Sequence, residues 1–235
     1  MERMQRIKPV TGEIYHIYNR GVEKRSTFLD DKDRFRFIHD LFEFNDEAPV
    51  KNLTYYIGRN KSKEVGLHKR LPRKLLIELL AFCVMPNHFH LLVRQKVDGG
   101  VTEFMRKLGT GYTNYFNQKY SRVGSLFQGK YKLIQLTEEA HFIHLPYYIH
   151  FNPLDLKTPE WREGKLKDPT TAIKFLGEYR WSSHLDYLGK KNFPSVTQRD
   201  FLLEFFGGTK GYEDKIKNWL KDLGFDSINE LALES

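Results

Sequence analysis

The chain has one cysteine, Cys83, so it can neither close an internal disulfide nor build a thiolate zinc cluster. Long hydrophobic runs are also missing. The longest uncharged apolar stretch, residues 79–85, falls far short of the roughly 20 residues a membrane span needs. The first residues, MERMQRIKPV, lack the apolar core of a secretory signal. The expectation is a cytoplasmic protein with no membrane partner. There is no internal repeat and no low-complexity tract. An H-E-x-x-H pattern is absent too, which removes the usual third ligand and acid/base of a zinc hydrolase.

What is present suits one large domain with a smaller attachment: 235 residues, 40% of them hydrophobic and 29% charged. Lys and Arg number 38 against 30 Asp and Glu, a net charge of +8 that points to a polyanionic partner. Aromatic content is high, and aromatics beside cations stack on unpaired bases as well as filling cores. Residues 13–20 (EIYHIYNR) read as a strand ended by Gly21. Asp30 or Asp31 caps a helix to about residue 44. Residues 52–57 read as a short strand set apart from the main plan, and 59–74 as an exposed basic loop. Residues 75–85 read as a central strand buried on both faces. After a turn at Pro86-Asn87, residues 88–94 return as the next strand. An amphipathic helix covers 102–120, then loop and strand 124–136, then a helix from about 137 to 151. Asn152-Pro153 stops it, and Pro146 predicts a kink or a fresh start inside it. Strand–helix–strand–strand–helix–strand is the ferredoxin-like plan, an α+β fold with an antiparallel sheet and helices on its faces. Short helical segments follow, at 170–176, 182–188, 197–206, 212–223 and 227–233. The division is therefore a domain at 1–155 and a C-terminal helical extension at 156–235, packed on it.

Three groups of residues carry candidate chemistry. His88 and His90 alternate along a strand, so both imidazoles face one side while Phe89 faces the other. They either share a divalent metal or are structural histidines of a half-buried strand. Tyr148 and Asn152 lie one helical turn apart on one face. Tyr148 is a candidate nucleophile toward phosphorus or a core residue, and Asn152 a hard oxygen ligand or a helix terminator. His144 lies one turn earlier, able to assist unless Pro146 turns it away. The candidate phosphate-binding cations are Arg20, Lys69, Arg70, Arg73, Arg106, Lys107, Lys130 and Lys132; the bland alternative is a solvated basic face. Tyr112, Tyr115 and Tyr120 are rival nucleophiles whose helical spacing suits core or base-stacking roles better.

Taken in order, five segments resemble a known family. They are 15–21 (YHIYNRG) with 28–34 (FLDDKDR), 85–93 (MPNHFHLLV), 126–132 (LFQGKYK), 148–153 (YIHFNP) and 179–183 (YRWSS). The chain resembles the REP-associated tyrosine transposases, within the IS200-like single-tyrosine transposases of bacteria, from about residue 10 to 190. The resemblance implies a ferredoxin-like fold and a Mg²⁺ or Mn²⁺ ion held by His88 and His90, with Asn152 completing the site. It implies Tyr148 as the nucleophile, forming a 5′-phosphotyrosine and freeing a 3′-hydroxyl, with Tyr147 a rival by proximity only. The implied substrate is single-stranded DNA carrying imperfect hairpins, handled in the bacterial nucleoid by a monomer or homodimer. Region 58–74 is longer than the core fold needs, and the match fades beyond 190. The competing reading is a domesticated hairpin-binding protein that has lost cleavage.

Overall fold

The computed structural model describes residues 7–49, 72–137 and 139–222. The expected strand at 52–57, most of the basic loop 59–74 and the helix at 227–233 lie outside them. Within them the chain runs β1 (Ile14–Arg20), α1 (Asp31–Glu43), β2 (Ile77–Val84), β3 (His88–Gln95), α2 (Gly100–Lys119), β4 (Lys132–Gln135) and α3 (Glu139–Phe151). Two short 3₁₀ turns, Asn152–Leu156 and Pro159–Glu163, lead to α4 (Pro169–Leu176), α5 (His184–Tyr187), α6 (Asp200–Phe206) and α7 (Gly208–Asp222). The sheet order is β2-β3-β1-β4 with every neighbouring pair antiparallel, as the ferredoxin-like plan requires.

Alternation along the strands sorts side chains between two layers. Tyr15, Ile17, Phe89, Leu91 and Val93 face α1 and α2 in one apolar cluster. Ala81, Cys83 and Leu92 face α3 and the C-terminal helices in a second. α1 starts at Asp30, whose carboxylate accepts from Asp33 N while Asp33 returns the bond to Asp30 N. The buried Asp33 also accepts from Tyr115, Tyr120 and Lys119, tying the start of α1 to the end of α2.

Two sequence expectations need correction. β2 is not a central strand; it is the edge of the sheet. Its burial comes from the YRWSS segment laid along the free edge. Val84 N donates to Trp181 O, Ser183 N to Phe82 O, and Phe82 N to Ser183 Oγ. An edge strand covered this way offers no template for pairing with another chain. Of the kink or fresh start expected at Pro146, the fresh start does not occur: α3 runs through it from Glu139 to Phe151. The turn around it is buried on every side by Leu145, Tyr147, Tyr148 and Ile149, and packing outweighs the lost backbone bond. The expected boundary at 155/156 cuts through a shared core, because the second cluster joins β2, β3 and α3 to residues from Trp161 to Leu220.

A buried polar chain crosses that core. His150 Nε2 bonds Ser183 Oγ at 2.7 Å, Tyr212 Oη bonds His150 Nδ1 at 2.6 Å, and His184 Nδ1 bonds Tyr212 Oη at 2.8 Å. Burial, reinforced by the charge of Lys190, pushes His184 down to about 3. Unfolding frees it to bind a proton near its ordinary value of about 6.5, so the unfolded state binds more protons between those limits. Stability should therefore fall as pH drops from 6.5 toward 3, by up to about 1.4 kcal/mol per pH unit from this group. Chemical denaturation across that range should show a shallower dependence in His184→Gln than in the unmodified protein.

Candidate active site

The alternation expected of His88-Phe89-His90 is present. Phe89 packs on Phe37 with ring centroids 4.9 Å apart, and the two imidazoles lie on the opposite face, 5.1 Å apart and nearly perpendicular. Each imidazole is oriented through Nδ1. His88 Nδ1 bonds Asn87 Oδ1 at 2.7 Å, and His90 Nδ1 bonds His16 Nε2 at 2.9 Å. An amide oxygen only accepts, so His88 carries its proton on Nδ1 and its lone pair on Nε2. His90 takes the same tautomer when it donates to His16. Partners on Nδ1 that leave Nε2 as the ligand are the arrangement metal-binding histidines use, and the pair fits a divalent cation. Among the described residues no group of three His, Cys, Asp or Glu side chains is placed around one metal position. Oxygen from water, phosphate or an amide has to complete the shell, which suits Mg²⁺ or Mn²⁺.

α3 presses Tyr148 onto this pair. Its ring meets His90 edge-on at 5.9 Å and His16 at 6.4 Å, and only 1% of the residue is exposed. Asn152 sits one turn on, fully buried, with Nδ2 donating to Tyr148 O at 2.8 Å. The Pro159–Glu163 turn closes over both. Arg162 donates from Nη1 to Tyr148 Oη at 2.7 Å and from Nη2 to Asn152 Oδ1 at 3.1 Å. Asp155 holds the guanidinium through bonds of 2.8 and 2.6 Å and also accepts from Trp161 Nε1. Burial works against the Arg162 charge, yet its bonds to Asp155 and Tyr148 outweigh that and raise its pKa. The oxygen expected to ligate a metal is thus shared with a cation, and Asn152 fits as a third ligand only once Arg162 withdraws.

The rival phenols lie in other surroundings. Tyr147, although adjacent, packs on Phe206, Tyr212 and Trp219, and burial raises its pKa. Tyr112 donates to Thr27 O in the core; burial first, then the charge of Asp33, holds its phenol protonated. Burial and a bond to Asp33 push Tyr115 up to about 12. Tyr120 also bonds Asp33, and burial raises it. His144 stacks on Trp219 rather than on the histidine pair.

The cations divide. Register places Arg20 opposite His88, and Lys132 opposite Tyr18, which is itself opposite His90. Directly paired residues share a face, so Arg20 and Lys132 flank the histidines. Lys130 lies exposed at the rim of a groove behind the sheet. Arg106 is exposed and paired with Glu103. Arg73 donates to Phe42 O at 2.7 Å and lies over that ring. Lys107 is a correction: it is 9% exposed, and its ammonium donates to Asp46 O and Ala48 O, closing the turn after α1. Lys69 and Arg70 lie outside the described residues.

Residues 66–152 match the family model described as IS200-like transposase. That stretch carries His88, His90, Tyr148 and Asn152. Among solved structures, a REP-associated tyrosine transposase bound to a REP hairpin is similar, at 14% identity and a TM-score of 0.47. The likeness covers 85% of this chain and 93% of that one. No curated protein matches. Among the described residues no helix is long and apolar enough to cross a membrane.

Sequence reasoning missed His16, Tyr18 and Arg162. The first two had a signal: in YHIYNRG they alternate as His88 and His90 do. Arg162 had none, lying beyond a helix stop in an irregular turn. Truncating Arg162 removes the hydrogen bonds it gives to the buried Tyr148 and Asn152 and the ion pair it makes with the half-buried Asp155. Arg162→Ala should lower unfolding free energy by about 2–4 kcal/mol, and Tyr148→Phe by under about 1.5 kcal/mol, as read by denaturant titration.

Proposed function

We propose that this chain is a metal-dependent single-stranded DNA endonuclease and strand transferase acting on REP-type hairpin DNA through a 5′-phosphotyrosine on Tyr148. The observation that carries the reading is the edge-on contact of Tyr148 with His90, on the sheet face that holds His88, inside the stretch matching IS200-like transposases. The hairpin substrate follows from the five-segment resemblance, and the +8 charge suits a polyanion.

His88 and His90 would hold Mg²⁺ or Mn²⁺ through Nε2. Such an ion supplies Lewis-acid polarisation of a phosphate oxygen and offsets charge in the transition state. The chain does the rest. Tyr148 Oη forms a bond to phosphorus as the P–O3′ bond breaks, and the phenolic proton is accounted for on the released 3′-hydroxyl. Attack by a 3′-hydroxyl on the phosphotyrosine reverses the balance and rejoins strands. Arg20 and Lys132 hold backbone phosphates beside the histidines. Arg162 fixes the phenol oxygen and places a cation against it. With Tyr148 1% exposed, the Pro159–Glu163 turn has to give way before a phosphate reaches it. That burial is what favours the second reading, a hairpin binder without cleavage.

Labelled single-stranded hairpin DNA incubated with the protein and Mn²⁺ should yield a covalent adduct that survives denaturing electrophoresis. EDTA and Tyr148→Phe should each abolish it, and His90→Ala should reduce it by about 10²-fold or more. A mobility shift that needs no metal, with no adduct, would support the binder instead.

A further inference from the structure

Arg162 ties together three groups that the proposed reaction has to separate. A guanidinium has five N–H donors. Nε and one hydrogen of Nη2 hold the Asp155 carboxylate at 2.8 and 2.6 Å. The other hydrogen of Nη2 goes to Asn152 Oδ1 at 3.1 Å, and one hydrogen of Nη1 goes to Tyr148 Oη at 2.7 Å. The fifth, on Nη1, meets no acceptor among the described residues. The bond to Asn152 is the longest of the four, and its acceptor is a neutral amide. Arg162 is also the member of the cluster that solvent reaches beside the phenol: its side chain is 26% exposed, whereas Asn152 is fully buried and Tyr148 nearly so.

We propose that Arg162 is a catalytic residue that changes partner: in the free protein it covers Asn152 Oδ1, and with DNA in place it exchanges that bond for one to a non-bridging oxygen of the phosphate under attack. A phosphorus bonding to Tyr148 Oη carries its non-bridging oxygens one bond further out. Nη1 already lies 2.7 Å from Oη, so its unused hydrogen is within reach of them. The exchange is downhill at both ends. A charge-assisted bond to phosphate is roughly twice as strong as one to a neutral amide. Asn152 Oδ1 is released as a hard oxygen of the kind the His88–His90 pair needs to complete a Mg²⁺ or Mn²⁺ shell. Asp155 belongs to the Asn152–Leu156 turn that continues α3, so its carboxylate keeps the guanidinium beside Tyr148 while the Pro159–Glu163 turn gives way. The guanidinium stays charged throughout, so the exchange moves hydrogen bonds and no proton. The inference rests on the proposed DNA activity. It adds a cation on the reacting phosphate and an order of events, in which the substrate uncovers the third protein ligand of the metal.

Two readings of opposite sign test it: Mn²⁺ affinity without DNA, from the EPR signal of the free ion, and the rate of adduct formation on hairpin DNA. Arg162→Met keeps an unbranched chain and removes every donor. It should bind Mn²⁺ about tenfold more tightly, because Asn152 is uncovered, yet form the adduct about 10²-fold more slowly. Adding Asn152→Ala should remove the gain in Mn²⁺ affinity. Arg162→Lys keeps a cation for the phosphate without the fork that spans Asn152 and Tyr148. It carries the test if Arg162→Met does not fold, with Mn²⁺ again bound more tightly and the adduct slowed only about tenfold. A role in folding alone would lower both readings, and a simple cover over the site would raise both. Either result would overturn the change of partner while leaving the proposed function standing. Absence of any adduct from the unmodified protein would overturn both.

Discussion

The antiparallel register of β1 on β3 is the constraint everything else depends on. It sets Arg20 opposite His88, Tyr18 opposite His90 and His16 opposite Leu92, so five polar or aromatic side chains converge on one sheet face. The other face anchors it, because Phe89 and Ile17 are committed to the α1 and α2 core. A slip of one residue would bury the histidines in that core and expose Phe89, at a cost of several kcal/mol in lost apolar burial and unsatisfied ring nitrogens. The diagonal His16–His90 bond exists only in the observed register, and it sets which nitrogen His90 turns outward.

A second constraint decides which tyrosine meets those histidines. Tyr147 and Tyr148 are neighbours on α3 and so point about 100° apart. The C-terminal helices settle the rotation. Phe206, Tyr212 and Trp219 enclose Tyr147, while the His150–Tyr212–His184 chain and its link to Ser183 pin the next turn of α3 to the covered edge of β2. Residues past 156 therefore act on the site through α3, and Arg162 reaches it directly. The same packing leaves Tyr148 buried, so its phenol oxygen is held in place and also shielded beneath the Pro159–Glu163 turn.

Much of this was legible from residue patterns. The order of strands and helices, the shared face of His88 and His90, and the pairing of Tyr148 with Asn152 one turn apart all follow from periods of two and 3.6 residues. Contacts between segments distant along the chain left no such trace. The edge position of β2 was hidden because YRWSS buries it as fully as a central strand would be. Lys107 read as a surface cation because charge alone does not reveal two carbonyls waiting at the turn after α1. Arg162 sits in an irregular turn where no period applies, and its role depends on Asp155 orienting its guanidinium. Asn152 was picked out by its spacing from Tyr148, but its oxygen is engaged by a cation that no spacing could foretell.

The central claim is that the phenol held between His90 and Arg162 is the nucleophile. Two neighbours make the alternatives concrete: Tyr147 one residue away on α3, and Tyr18, stacked on His90 at 5.8 Å from the β1 side. The most direct measurement is to digest the Mn²⁺-dependent protein–DNA adduct with protease and nuclease and locate the residual nucleotide by tandem mass spectrometry. A nucleotide 5′-phosphate on Tyr148 alone is the expected result. The same modification on Tyr18, Tyr147 or any other side chain would contradict it.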